Sequence, residues 1–150
     1  MCGICGVVGS LRPDDSKLVA AMSARLAHRG PDADGLWASA GIDDGPAGGG
    51  VVLGHRRLAI IDLQSASDQP MVDPATGNVV VFNGEIYNYR DLAAELRAMG
   101  VEFRTRSDTE VLLKAYAAWG EACVDRFRGM FAFALWDASE RELFLARDHV

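Results

Sequence analysis

The chain alternates between short apolar runs and helix-period stripes, and the order of these patterns outlines the fold. Residues 4–8, Ile4-Cys5-Gly6-Val7-Val8, form a short apolar run closed by Gly9 and predict a buried strand. Asp14 or Asp15 then caps a predicted helix whose apolar stripe is Leu18, Val19, Met22 and Leu26. It stops at Gly30-Pro31, because proline cannot continue a helix. A strand-like piece begins at Leu36-Trp37, and Gly41 to Gly50 is a glycine-rich loop. Val51 to Leu63 is strand-like again, with a polar interruption at His55-Arg56-Arg57. Gln64 to Met71 is a surface connection, and Ala75-Thr76-Gly77-Asn78 a turn. The near-continuous run Val79-Val80-Val81-Phe82 predicts a strand covered on both faces that ends at Asn83-Gly84-Glu85.

Two marked helices follow. Asn88 caps the first, with Leu92, Leu96 and Met99 on one face and Gly100 just past its end. Ser107-Asp108-Thr109-Glu110 has the form of a capping box and opens the second. Its apolar face is Val111, Leu112, Ala115, Tyr116 and Trp119, and Gly120 ends it. A short helix through Ala122 to Phe127 precedes a hairpin of Met130 to Trp136 with Leu143 to Ala146. Strands at both ends with helices grouped between them predict an α+β layered fold.

Composition narrows the function. At 150 residues and 49% hydrophobic the chain can bury one substantial core. A net charge of −6 offers no basic stripe for nucleic acid, so none is expected as a partner. No apolar run approaches the roughly 20 residues of a membrane span, and no signal peptide is recognisable. The expectation is a cytoplasmic protein with no membrane partner, its cysteines Cys2, Cys5 and Cys123 reduced.

Cys2 directly follows Met1, and its small side chain permits removal of the methionine. Cys2 would then carry a thiol and an α-amine two bonds apart, as in nucleophiles activated by their own N-terminal amine. Cys2 and Cys5 also form a C-x-x-C. No second ligand pair has zinc-like spacing, and the motif opens a chain rather than following a strand, so Cys5 is read as packing and no metal is expected.

Asn83-Gly84 has two readings, a tight hairpin turn or an oxyanion hole built from an amide and a backbone N–H. Of the adjacent Arg56 and Arg57, strand alternation turns one inward, where it needs an anionic partner such as a substrate carboxylate. Asp108 suits a helix N-terminus by charge alone, and Glu85 suits a surface. An arginine with one or two acids also matches the zwitterionic end of an α-amino acid.

Seven segments together resemble class II glutamine amidotransferases, specifically the N-terminal glutaminase domain of glutamine-hydrolysing asparagine synthetases. They are Met1-Cys2-Gly3-Ile4, His28-Arg29-Gly30-Pro31-Asp32, residues 54–62 from Gly54 to Asp62, Gln69-Pro70-Met71, residues 82–88 from Phe82 to Asn88, Ser107-Asp108-Thr109-Glu110-Val111, and residues 129–134. The resemblance covers essentially the whole chain, 1–150, as one domain. It implies a four-layer αββα N-terminal-nucleophile hydrolase sandwich of antiparallel sheets.

It also implies roles. Cys2, freed of Met1, is the nucleophile, and Asn83 and Gly84 are the oxyanion hole. Arg57 binds the α-carboxylate of L-glutamine, and Leu58, Ala59, Ile60 and Ile61 line its pocket. Glu85 and Asp108 hold the α-amino end. Some asparagine synthetases carry an acid where this chain has Arg56, and a glycine where it has Arg106. The family pattern continues past Arg147-Asp148 into a synthetase domain that receives the ammonia and uses ATP and Mg. No ATP motif lies in this chain, and no cofactor is expected here. The ammonia acceptor is aspartate by resemblance, with peptides, sugars and other carboxylates as alternatives; a catalytically silent fragment or regulatory domain is the reading of a different class, and a homodimer is left open.

Overall fold

A computed structural model describes residues 2–39, 49–58 and 68–149. Seven strands and three α-helices are described: β1 Gly3–Gly9, α1 Asp15–Arg25, β2 Ala33–Ala38, β3 Gly50–Arg57, β4 Met71–Val72, β5 Val79–Ile86, α2 Tyr89–Ala98, α3 Asp108–Trp119, β6 Gly129–Asp137 and β7 Glu142–Arg147. A 3₁₀ helix, Gly120–Arg126, links α3 to β6. The strands form two antiparallel sheets, β1-β3-β2 and β4-β5-β6-β7.

Side-chain alternation divides each sheet into a helix-facing and a sheet-facing surface. Val80, Phe82 and Ile86 of β5 pack with Leu92 and Leu96 of α2 and Leu112 of α3. The intervening residues Val79 and Val81 pack with Val51 and Leu53 of β3 and with Ala134 and Trp136 of β6. α1 covers the outer face of the first sheet, where Cys5 Sγ lies 3.8 Å from the Val19 carbonyl. The order is helix, sheet, sheet, helices, the αββα sandwich expected.

α1 packs differently from its sequence pattern. Leu18 and Met22 are 46% and 36% exposed, and the buried line is Asp15, Val19 and Ser23. The sheet beneath is paved with glycine. A Cβ on Gly54 would stand 2.9 Å from Val19 Cγ1, and one on Gly3 would stand 2.9 Å from Leu26 Cβ. So close an approach accepts small side chains and turns the larger ones outward. Neither Asp14 nor Asp15 caps the helix's own N–H groups; Asp15 Oδ2 instead accepts the Arg12 N–H at 2.6 Å.

The polar His55-Arg56-Arg57 segment lies within β3, as the strand-like pattern from Val51 predicts. Three other expectations are corrected. Asn83-Gly84 is not a turn, since β5 runs through both to Ile86. The capping box is half formed. Ser107 Oγ accepts the Glu110 N–H, whereas the buried Glu110 carboxylate takes the N–H groups of Arg104 and Thr105. Asn88 sits at the N-cap of α2, but its side chain bonds Arg126 and Arg128 instead of the helix. Gly100, at φ +88°, ends that helix with paired bonds from Gly100 N–H to Arg97 O and Val101 N–H to Leu96 O.

Candidate active site at the polar end of the sheet interface

Inward positions of β3 and β5 change character along each strand. After Val51 and Leu53 come His55 and Arg57; after Val79 and Val81 come Asn83 and Glu85. β1 runs antiparallel to β3 and brings its N-terminal end, with Gly3 opposite Arg56, to that same polar end. Cys2 therefore sits beside the end of β3. The Leu58 N–H points at Cys2 Sγ at 3.4 Å, and Sγ lies 3.8 Å from the Leu58 carbonyl.

The segment after α1 holds this corner in place. Arg29 Nε donates to the Cys2 carbonyl at 3.1 Å, and the Asp32 N–H donates to the Arg57 carbonyl at 3.0 Å. Gly30 lies so close that a Cβ there would stand 2.4 Å from the Arg56 carbonyl. Only glycine permits that approach, which explains the His-Arg-Gly-Pro-Asp motif physically. Nothing in the local sequence pattern marks Arg29 for this role, because its partner lies 27 residues away.

The two arginines part as alternation requires. Arg56 turns toward α1, with Nε on the Ser23 carbonyl at 3.2 Å and Nη1 3.6 Å from Asp34. Arg57 turns inward, is 8% exposed and pairs through Nη1 with the Asp68 carboxylate. Cys5 is separated from Cys2 in the same way. It lies under α1 with its thiol pKa raised by burial, so the two cysteines occupy opposite faces and do not form a ligand pair.

β5 presents its polar half at an open edge. β4 pairs with Val79 and Val80, and beyond Val80 that edge has no strand neighbour among the described residues. Backbone groups directed there find side chains instead. The Phe82 N–H donates to Gln69 Oε1 at 2.6 Å, and the Ile86 N–H donates to Asp108 Oδ2 at 3.1 Å. Period-two alternation places the Gly84 N–H on this edge between them. Gly84 has φ +147°, and a Cβ on it would stand 2.1 Å from the Met130 carbonyl, so glycine is required twice over.

Asp108 is 5% exposed at the first turn of α3. Burial raises its carboxyl pKa, hydrogen bonds from backbone N–H groups oppose that, and the nearby Glu85 charge raises it further. Two neighbouring carboxylates form a site that favours a cation. The Asn83 amide oxygen is buried and finds no hydrogen-bond partner among the described residues, and the same holds for His55 Nδ1.

The structure thus gathers Cys2, Arg57 and Leu58 at one side of the interface end, and Asn83, Gly84, Glu85 and Asp108 along β5 and the start of α3. Ala59, Ile60 and Ile61 lie outside the described residues. His55 and Gln69 bind the backbone beside Asn83, and the local sequence marks neither as a site residue. Both are ordinary polar positions in sequence, and their partners are visible only across the two sheets.

A family model described as a glutamine amidotransferase domain matches residues 1–150. A Mycobacterium tuberculosis protein named provisionally as a glutamine-hydrolysing asparagine synthetase is 45% identical over 99% of this chain and 24% of its own length. Asparagine synthetase [glutamine-hydrolyzing] 3 of Bacillus subtilis is 40% identical over 100% of this chain and 24% of its own length. The chain thus spans about a quarter of these relatives. The solved glutamine phosphoribosylpyrophosphate amidotransferase of B. subtilis, complexed with ADP and GMP, superposes with TM-score 0.73 at 22% identity, covering 96% of this chain and 37% of that one. That likeness concerns the fold, the N-terminal-nucleophile sandwich. On a family match from end to end, the chain belongs to the class II glutamine amidotransferases, alongside the N-terminal domains of glutamine-hydrolysing asparagine synthetases.

Proposed function

We propose that this domain hydrolyses L-glutamine through a covalent Cys2 intermediate and supplies the ammonia to a synthetase domain of a longer protein. The observation that carries the reading is the position of Cys2 Sγ beside Arg57 and Leu58, at the interface end where β5 presents Asn83 and Gly84. Removal of Met1 exposes the Cys2 α-amine, with a reference pKa of about 7.7–8.0, to take the thiol proton.

Arg57 holds the substrate α-carboxylate, and Glu85 with Asp108 holds the α-ammonium, which fixes the side-chain amide toward Cys2. The Cys2 sulfur bonds to the amide carbon, and the amide oxygen takes the negative charge between the Asn83 amide and the Gly84 N–H. Collapse breaks the C–N bond, and the Cys2 ammonium returns its proton to the departing nitrogen as ammonia. Water then attacks the γ-glutamyl thioester with the α-amine again as base, releasing glutamate and the thiol. Leu58 and the following Ala59, Ile60 and Ile61 wall the glutamine side chain.

The relatives' names favour an acceptor amidated to asparagine, so aspartate, with ATP and Mg in the synthetase domain, is our first assignment. Amidation of another carboxylate is the alternative. The test is glutamine turnover with stoichiometric glutamate and ammonia, followed by addition of aspartate and ATP. A protein lacking Met1 that produces no glutamate from glutamine would sink the hydrolytic reading. Failure of aspartate alone would move only the acceptor.

A further inference from the structure

Both backbone polar groups of Phe82 are bound by side chains. Its N–H donates to Gln69 Oε1 at 2.6 Å, and its carbonyl accepts from His55 Nε2 at 3.2 Å. Phe82 is buried, and β4 ends before reaching it, so without these partners two backbone groups would be orphaned. Each partner is itself held. Gln69 Nε2 reaches Thr109 Oγ1 at 3.3 Å, and His55 is 1% exposed within β3. The next residues of β5 are Asn83 and Gly84, and Arg57 lies two positions beyond His55 on the same face of β3.

We propose that His55 and Gln69 are positioning residues, a side-chain clamp that holds the Phe82 backbone beyond the end of β4 and aims the Asn83 amide and Gly84 N–H at the reacting carbonyl. The inference deepens the proposed hydrolytic function and rests on it. His55 also ties the strand carrying the carboxylate anchor to the strand carrying the oxyanion donors. The clamp thereby sets the span between the two ends of a bound glutamine. A carbonyl acceptor requires a hydrogen on Nε2, and burial lowers the ring's pKa from 6.5 to about 4, so at neutral pH the ring works as a neutral donor and not as a proton carrier. Gln69 complements it by accepting where His55 donates.

Glutaminase kinetics of His55→Met, His55→Gln, Gln69→Met and Asn83→Ala in the full protein test the clamp. Methionine keeps the volume and removes the donor or acceptor; glutamine at position 55 keeps an N–H. His55→Met and Gln69→Met are expected to lower kcat by about 10- to 100-fold with little change in KM, because small misplacements cost that much. His55→Gln is expected to recover most of the loss, which a purely space-filling role would not give. An impaired Asn83→Ala beside a fully active His55→Met overturns the clamp alone, as does an equal loss in His55→Gln and His55→Met. An unimpaired Asn83→Ala removes the oxyanion reading and the clamp with it. Nitrogen-15 NMR of the unsubstituted protein at neutral pH needs no variant to fold. The neutral Nε2–H tautomer of His55 is expected, and an Nδ1–H tautomer overturns the proposal.

Discussion

The space between the two sheets has two ends built from the same strands. At one end Val51 and Leu53 of β3 meet Val79, Val81, Ala134 and Trp136, with Ile4 and Trp37 packed against them. At the other end the same inward register carries His55 and Arg57 on β3, and Asn83 and Glu85 on β5. The apolar end needs only volume and water exclusion, so its energy comes from burial. Among the described residues the polar end leaves acceptors on His55 and Asn83 without partners, holds a buried arginine, and crowds two carboxylates. Such an arrangement is costly for stability. The apolar end offsets that cost and holds the strands in the register on which the polar end depends.

The comparison breaks most decisively at Cys2. Cys2→Ala is expected to reduce glutamine hydrolysis by roughly 10⁴-fold or more, as removal of other covalent nucleophiles does. Its melting temperature should stay near that of the parent, since the thiol's polar contacts are the weak ones with Leu58. Glutamate release at the parental rate would overturn the mechanism. Trp136→Ala strikes the opposite end. It should cost about 3–5 kcal/mol of folding free energy, the usual range for a buried tryptophan. Urea unfolding reads that loss, and the fraction still folded should retain its kcat. A large kcat loss in folded Trp136→Ala protein would show that the two ends are not separable.

Asn83→Ala separates chemistry from stability within the polar end. Loss of one oxyanion donor lowers kcat by about 10²–10³, with KM nearly unchanged. The orphaned amide oxygen disappears with the side chain, so thermal stability should hold or rise slightly. Initial-rate kinetics alongside calorimetry distinguish this from a packing defect, which would lower both.

The two ends also differed in how well sequence foretold them. The apolar strands and α3 were legible because period and capping residues act within a few positions. The motif residues Cys2, Arg57, Asn83, Gly84 and Asp108 were legible as chemistry, but their local structure was not. Asn-Gly signals a turn when only its neighbours are considered, and the long pairing with β6 keeps it in a strand. The exposed Leu18 and Met22 were misjudged for a related reason. Which face of α1 is buried depends on the glycines of β1 and β3, and period alone carries no information about them. His55 and Gln69 were missed because their bonds to Phe82 span 27 and 13 positions.

A pH titration of stability sharpens the contrast further. Burial, with a contribution from Arg57, lowers the His55 pKa from 6.5 to about 4, against a smaller opposing effect of its bond to Phe82. The unfolded chain therefore binds more protons at this site between about pH 6.5 and pH 4. The stabilising contribution is complete above the unfolded pKa of about 6.5 and is lost as pH falls toward the folded value. Asp108 has the opposite sign: its raised pKa favours proton uptake by the folded state and offsets part of the loss at the acidic end. Urea unfolding at pH 7.5, 6 and 5 should show falling stability, and His55→Gln should flatten that slope. An unchanged slope in the variant would assign the acid sensitivity elsewhere.

The smallest expected effect tests whether the polar end is built for its substrate or for itself. Arg57 faces inward, and the Asp68 carboxylate engages it. If Arg57 also anchors the α-carboxylate of glutamine, the two carboxylates compete for one guanidinium. The Asp68 side chain is 45% exposed, so water screens its attraction and can receive it when glutamine arrives. Asp68→Asn removes the charge and keeps the shape. Ion pairs this exposed contribute about 0.2–1 kcal/mol, which corresponds to a KM for glutamine lowered by roughly 1.5- to 5-fold with kcat unchanged. Added salt should narrow the difference between parent and variant, because screening weakens the parent's internal pair. A raised KM in Asp68→Asn would mean that Asp68 orients Arg57 for the substrate, making it part of the anchor instead of its competitor.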